Sequence, residues 1–136
     1  MNKSILLIFF LMIFGSASLA NDAVTRGEKI FKKCTSCHAV IAPNGDILRR
    51  GGRAGPNLYG VMGRLAADTQ FRYSKALKEA GAAGLIWSPE TLAGFVTDPS
   101  YYLKAHSGNK KARSKMSYRL KKGAADVAAY LENMNE

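Results

Sequence analysis

Cys34-Thr35-Ser36-Cys37-His38 is the stretch on which the reading of this chain turns. Residues three apart on a helical turn share a face. Cys34 and Cys37 therefore present two thiols to one edge of a flat macrocycle, where each can add to a vinyl group as a thioether. His38 follows at once and can bring an imidazole nitrogen beneath a central metal. Cys-x-x-Cys-His is the attachment signature of a c-type haem. A disulfide across the same two cysteines would close a loop too short to restrain much of the unfolded chain. A thioredoxin-like redox pair needs a βαβ setting, and the flanking sequence offers none. A zinc site needs further ligands, and the only other histidine is His106.

The opposite face of the iron decides what such a haem does. An open position suits catalysis or gas binding, whereas a second protein ligand suits electron transfer. Met62, Met116, Met134 and His106 are the candidates. Met134 sits on the apolar stripe of the last helix, and Met62, in Tyr59-Gly60-Val61-Met62-Gly63-Arg64, reads as loop packing. Met116 lies far downstream between polar residues, with enough chain before it to wrap a haem. Spacing favours Met116, with His106 as its rival. A thioether is soft and neutral, so it favours Fe(II) and raises the reduction potential.

Working outward to the amino terminus, Lys3 precedes ten apolar residues, Ile5 to Phe14, and Gly15-Ser16-Ala17-Ser18-Leu19-Ala20 closes the stretch with small residues. This is the pattern of an export signal cleaved after Ala20; ten apolar residues fall short of the ~20 needed to span a bilayer, and an uncleaved anchor running on to Ala20 is the competing reading. The expected organisation is a leader over 1–20 and one domain over 21–136. The domain keeps nineteen of the twenty basic residues and all ten acids, a formal +9. Eight cations and no acid occur between Lys104 and Lys122: Lys104, Lys110, Lys111, Arg113, Lys115, Arg119, Lys121 and Lys122. Such a balance suits an acidic partner or an anionic membrane surface. Nucleic acid is not expected, because an exported chain does not meet it and no aromatic-interleaved recognition motif is present.

Val24, Gly27, Phe31 and Cys34, with Ile30 beside them, form one stripe of an amphipathic helix opened by Asn21-Asp22. From His38 to Ala67 the chain is rich in Gly, Pro and Asn and reads as an ordered loop. Ser74 to Ala80 predicts a short helix that stops at Gly81. Ser88-Pro89-Glu90 starts another, with cap, first-position proline and acid in order. Leu92, Phe95 and Val96 lie on its inner face, Asp98-Pro99 ends it, and a further turn or two runs through Leu103. Val127, Tyr130, Leu131 and Met134 define the last helix. No stretch alternates with period two. The expected fold class is all-α, three main helices with short ones and long loops wrapped around one haem.

In this order the residues resemble the small soluble mono-haem cytochromes c, most closely the bacterial cytochrome c2 branch. Gly27-Glu28-Lys29-Ile30-Phe31 is similar to the family's first helix, and Gly55-Pro56-Asn57-Leu58-Tyr59-Gly60 with Gly63-Arg64 to its haem-edge loop. Trp87, Pro99, Lys115-Met116 and Tyr130-Leu131 also fall in family positions. The resemblance implies that Pro56 offers its carbonyl to the far nitrogen of His38. It implies that Arg64, Tyr73 and Trp87 hold the propionates, with Ser114 also among the haem contacts, and that His38 and Met116 ligate the iron. Gly27 would let the first helix approach Tyr130 on the last. Two departures stand out: Phe95 replaces the tyrosine usual near the methionine sulfur, and Lys104 to Arg113 lengthen the loop before Met116 relative to the mitochondrial proteins, as c2-type chains do.

The function these readings imply is that of a periplasmic, monomeric one-electron carrier with no catalytic residue. Its partners would be acidic docking faces on a bc-type complex, an oxidase, a reaction centre or a reductase, with transient association at the membrane surface. The competing reading is a peroxidase-like haem enzyme or sensor with a displaceable methionine, an idea that Phe95 keeps alive.

Overall fold

The computed structural model describes residues 16–134. Lys3 and the Ile5–Phe14 run of the expected leader lie outside the described residues. Five helices and one small hairpin follow in the order α1 (Ser16–Phe31), β1 (Val40–Ile41), β2 (Ile47–Arg49), α2 (Lys75–Ala82), α3 (Pro89–Thr97), α4 (Pro99–Ser107) and α5 (Ala124–Asn133). No helix among the described residues is long and apolar enough to cross a membrane.

The first and last helices hold the molecule together. Gly27 is the point of closest approach: a Cβ there would lie 2.0 Å from the Asp126 carbonyl oxygen and 2.7 Å from Tyr130 Cβ. Phe31 then packs against the Tyr130 ring at 5.3 Å. Arg26 clasps Asp126 with both Nε and Nη2, at 3.1 and 2.9 Å, and Arg49 reaches Glu28 and lies 5.4 Å over the Tyr130 ring. The expected partnership of Gly27 with Tyr130 is present. α1, however, does not open at Asn21-Asp22: its helix already runs from Ser16, because Ser16 to Ala20 are compatible with helix and offer no break.

The expected purely loop-like run after His38 contains a hairpin. Val40 pairs with Arg49 and Ile41 with Ile47, across a turn at Pro43-Asn44-Gly45 in which Gly45 takes φ +92°. Asn-Gly between short apolar pairs is a hairpin signal, and strands of two and three residues are too brief to show a period.

α2 is capped by Ser74, whose hydroxyl accepts from the Leu77 amide. Gly81 does not stop it. It lies within the helix and gives way to the Ala66 carbonyl, which a Cβ would meet at 1.9 Å, and Gly84 at φ +94° follows the turn. α3 carries a reciprocal cap between Ser88 and Thr91 and buries Leu92 and Phe95. Asp98 ends α3 and also caps α4, accepting from the Tyr101 amide, with Pro99 at the first position. α4 thus runs past Leu103 to Ser107, and Gly108 in the left-handed region closes it. The lengthened loop is therefore partly helix.

Candidate haem-attachment site

Cys34 and Cys37 occupy the turn that continues α1. The amides of Cys37 and His38 both donate to the Cys34 carbonyl, at 3.1 and 2.9 Å. The thiols are not bridged; Cys34 is half-buried and Cys37 exposed. Burial, with a smaller contribution from Cys37, pushes the Cys34 thiol above its ordinary range. Segment 51–58 runs back against this turn, with Gly52, Gly55 and Leu58 amides donating to the carbonyls of Thr35, Cys37 and Ala39.

That return brings Pro56 to His38. The imidazole Nδ1 lies 2.8 Å from the Pro56 carbonyl oxygen. A carbonyl can only accept, so Nδ1 carries the proton and Nε2 keeps a lone pair. Burial lowers the His38 pKa below its usual value, with the hydrogen bond to Pro56 acting the other way. A neutral ring with an oriented lone pair is the form that binds a metal. Gly55 is the floor of this arrangement: a Cβ would fall 2.2 to 2.6 Å from three atoms of the His38 ring. The hairpin fixes the carbonyl in turn, because the Asn57 side chain accepts from the Ile41 amide and donates to the Ile41 carbonyl, at 3.0 and 2.7 Å. Neither Gly55 nor Asn57 stood out in sequence as more than part of a loop motif; the Asn-Gly turn was the available signal.

Arg64 and Trp87 are neighbours by backbone pairing. The Trp87 amide donates to the Arg64 carbonyl at 2.9 Å and the Gly63 amide to the Trp87 carbonyl at 2.7 Å. Arg64 gives Nη1 to the Tyr59 carbonyl at 3.0 Å, while its Nε is buried with no partner among the described residues. Tyr73 shares a hydrogen bond between its hydroxyl and that of Thr69. Trp87 is buried and meets Phe95 edge-on at 5.0 Å; Cys34, Tyr73, Met62 and Met116 all pack against the same core.

Met116 is held from several sides. Its amide donates to the Ser114 hydroxyl at 3.0 Å, and the Ser114 amide donates to the Ser100 hydroxyl at 3.1 Å. Lys115 gives its ammonium to the Arg72 carbonyl at 2.9 Å, Arg119 pairs with Asp98 at 3.2 Å, and the Leu120 amide donates to the Val96 carbonyl at 2.8 Å. His106, the rival, is exposed at the end of α4 with its ring stacked on Tyr102 at 6.0 Å.

These residues fit a haem. Two unbridged thiols and an oriented imidazole stand on one turn, and a buried guanidinium nitrogen without a partner among the described residues suits an anionic propionate. Fold and site together define a c-type haem protein.

The chain belongs to the cytochrome c family, whose family model, described as cytochrome c, matches residues 24–135. It is 44% identical over 131 residues to cytochrome c-551 of Roseobacter denitrificans, covering 96% of this chain and 94% of that one. Cytochrome c2 of Rhodobacter capsulatus is 42% identical over 124 residues, or 90% of each chain. The solved structure of cytochrome c2 from Rhodobacter capsulatus superimposes with a TM-score of 0.82 at 43% identity, over 83% of this chain and 98% of that one. The protein carries one haem c, joined through Cys34 and Cys37, and is an electron-transfer protein rather than an enzyme. The haem-enzyme alternative draws no support from these relatives.

Proposed function

We propose that His38 Nε2 and the Met116 sulfur are the two axial ligands of the iron. In this reading Arg64, Tyr73, Trp87 and Ser114 contact the haem, the first three holding its propionates. The observation that carries it is the 2.8 Å contact between His38 Nδ1 and the Pro56 carbonyl, which fixes the tautomer that frees Nε2. The bound haem supplies a one-electron couple at its iron.

The chain's own residues set the terms of that couple. Pro56 makes the imidazole more electron-rich, which supports the oxidised state. The thioether acts the other way by favouring the reduced one. The clamps at Ser100, Arg72, Asp98 and Val96 resist movement of the Met116 segment, so both oxidation states can share one geometry. Arg64, half-buried, offers a propionate its buried Nε.

Export after cleavage at Ala20 and work in the periplasm belong to the same proposal. Cleavage there would leave Asn21-Asp22 to begin the mature helix. Partners are read from charge. Seven of the eight cations between Lys104 and Lys122 are exposed, and among them only Arg119 faces a carboxylate among the described residues. Lys32 and Lys33, exposed immediately before Cys34, extend the positive surface toward the attachment turn. Such a field steers an acidic face of a bc-type complex, oxidase, reaction centre or reductase and weakens with salt, as a brief docking requires. The carrier works as a monomer, touching the membrane surface only in transit.

The test is Met116→Ala. The ferric spectrum is expected to lose its methionine–iron signature, cyanide binding to accelerate and the potential to fall. An unchanged spectrum would falsify the assignment of Met116.

A further inference from the structure

The hairpin and the segment after it wrap the attachment turn from one side. β1 begins at Val40, two residues after His38, and β2 leads directly into Gly51 and Gly52. These two lie backbone to backbone on the turn. A Cβ at Gly51 would fall 1.7 Å from the His38 carbonyl oxygen, and one at Gly52 would fall 2.3 Å from that of Ser36. Pro56 therefore hangs from the hairpin at both ends. Segment 51–55 joins it to β2, and Asn57 binds the Ile41 backbone on β1 through both side-chain heteroatoms. Where the hairpin sits decides where the Pro56 carbonyl sits.

One rung fastens that hairpin to α1 and α5. Val40 pairs with Arg49 in register, and Val40 is fully buried in the core. Arg49 beside it spans to both helices. Its Nη2 donates to Glu28 on α1, and its guanidinium lies over the Tyr130 ring of α5 at 5.4 Å. Nη1 donates to the Leu48 carbonyl at 2.7 Å, which holds the fork in place. Among the described residues no other side chain of the hairpin makes a hydrogen bond to either helix. Tyr130 in turn packs on Phe31, three residues before Cys34. Arg49 and Glu28 are partly exposed, so the pair adds little to global stability. Its value is in orientation, because a planar guanidinium set against both a carboxylate and a ring face fixes an angle as well as a distance.

We propose that Arg49 is a positioning residue for His38: by fastening the hairpin to Glu28 and Tyr130 it holds the Pro56 carbonyl at Nδ1, and the reduction potential is set in part from outside the haem pocket. The proposal rests on His38 Nε2 ligating the iron and is independent of the distal ligand. Without Arg49 the hairpin lifts from α1 and α5 and draws Pro56 away from Nδ1. The imidazole then becomes less electron-rich, the oxidised state loses support and the potential rises.

The experiment compares Arg49→Gln, Glu28→Gln and Arg26→Gln holoproteins with wild type. Two quantities are read: the potential by spectroelectrochemistry, and solvent exchange of the iron-shifted His38 Nδ1 proton by NMR of the ferric state. Arg49→Gln and Glu28→Gln should each speed that exchange by roughly threefold to tenfold, the worth of a partly exposed pair with a stacked guanidinium. Both should also raise the potential, by about twofold in the redox equilibrium or roughly 20 mV at 59 mV per tenfold. Charge alone predicts a different pattern, because loss of a cation lowers the potential and loss of an anion raises it. Arg26→Gln breaks the Arg26–Asp126 pair between the same helices without touching the hairpin. It should lower the unfolding midpoint and leave the Nδ1 exchange as in wild type. Shifts of opposite sign in Arg49→Gln and Glu28→Gln, or exchange accelerated equally in Arg26→Gln, would overturn the proposal. So would an iron-shifted His38 proton that none of the variants affects. A wild-type His38 ring with no iron-induced shift would instead overturn the ligand reading, and the proposal with it.

Discussion

Replacing Gly55 by alanine tests the proximal arrangement more directly than removing a ligand. The added Cβ would sit 2.2 Å from His38 Cε1, 2.5 Å from Nδ1 and 2.6 Å from Nε2. Ordinary contact begins at 3.4 Å, so the ring or the 51–58 segment must retreat by roughly 1 Å. The segment is tied by amide bonds to Thr35, Cys37 and Ala39, and the ring by Nδ1 to Pro56. Overpacking of this kind costs about 1–3 kcal/mol, and loss of the Nδ1 hydrogen bond adds about 1 kcal/mol. A total near 3 kcal/mol is expected in guanidinium unfolding of the holoprotein, read as a lower midpoint at unchanged slope. The hydrogen bond supports the oxidised state more than the reduced one. If about 1 kcal/mol is lost from the oxidised side, the potential rises by roughly 40 mV, on the scale of 59 mV per tenfold for one electron. Spectroelectrochemical titration measures this. Gly45→Ala is the control, since a Cβ there meets nothing within 4 Å and only its φ of +92° is strained; it should lose some stability with no change in potential. A Gly55→Ala protein with wild-type midpoint and potential would refute the reasoning.

Gly27→Ala drives a methyl into the Asp126 carbonyl and should lower the unfolding free energy of the holoprotein by about 3 kcal/mol, whereas better helix propensity alone would raise it by ~1 kcal/mol. Tyr130 has a buried hydroxyl without a partner among the described residues, and burial raises its pKa against the opposing Arg49 charge. The folded state therefore holds the phenol proton to higher pH than the unfolded state does. This contribution to stability is complete below the ordinary tyrosine range and is lost as pH climbs through the raised folded value. Tyr130→Phe should flatten the alkaline fall in stability relative to wild type and cost little at pH 7, as paired chemical denaturation across pH would show. Arg64→Gln removes a half-buried cation from the candidate propionate contacts, and the potential should fall by on the order of tens of millivolts; no change would place the propionates elsewhere.

The reach of the sequence varied with the range of each signal. Cys34-Thr35-Ser36-Cys37-His38 declares its chemistry in five adjacent residues. The caps of α3 are equally local, as Ser88, Pro89 and Glu90 act within one turn. What escaped depends on distant chain. Gly81 looked like a helix stop because glycine usually is one, yet the reason for it is the Ala66 carbonyl. The hairpin has only five strand residues, too few for a period to show. The continuation of α4 past Leu103 needed Asp98 to serve as the end of one helix and the cap of the next. In the site, Pro56 was reached through family resemblance, while the roles of Gly55 and Asn57 emerge only once segment 51–58 is laid against the attachment turn.

The clasp between α1 and α5 has a consequence for the order in which this molecule can be made. Arg26 and Asp126 are separated by one hundred residues, so α1 and α5 meet only after synthesis has passed residue 126. Contacts of such long range form slowly because the intervening loop must first be closed. The attachment turn, by contrast, is available as soon as residue 38 has emerged. Covalent modification of an open chain can thus come before closure of the terminal pair. A chain cut short ahead of Ala124 would still offer its two thiols while lacking the helix that covers Phe31.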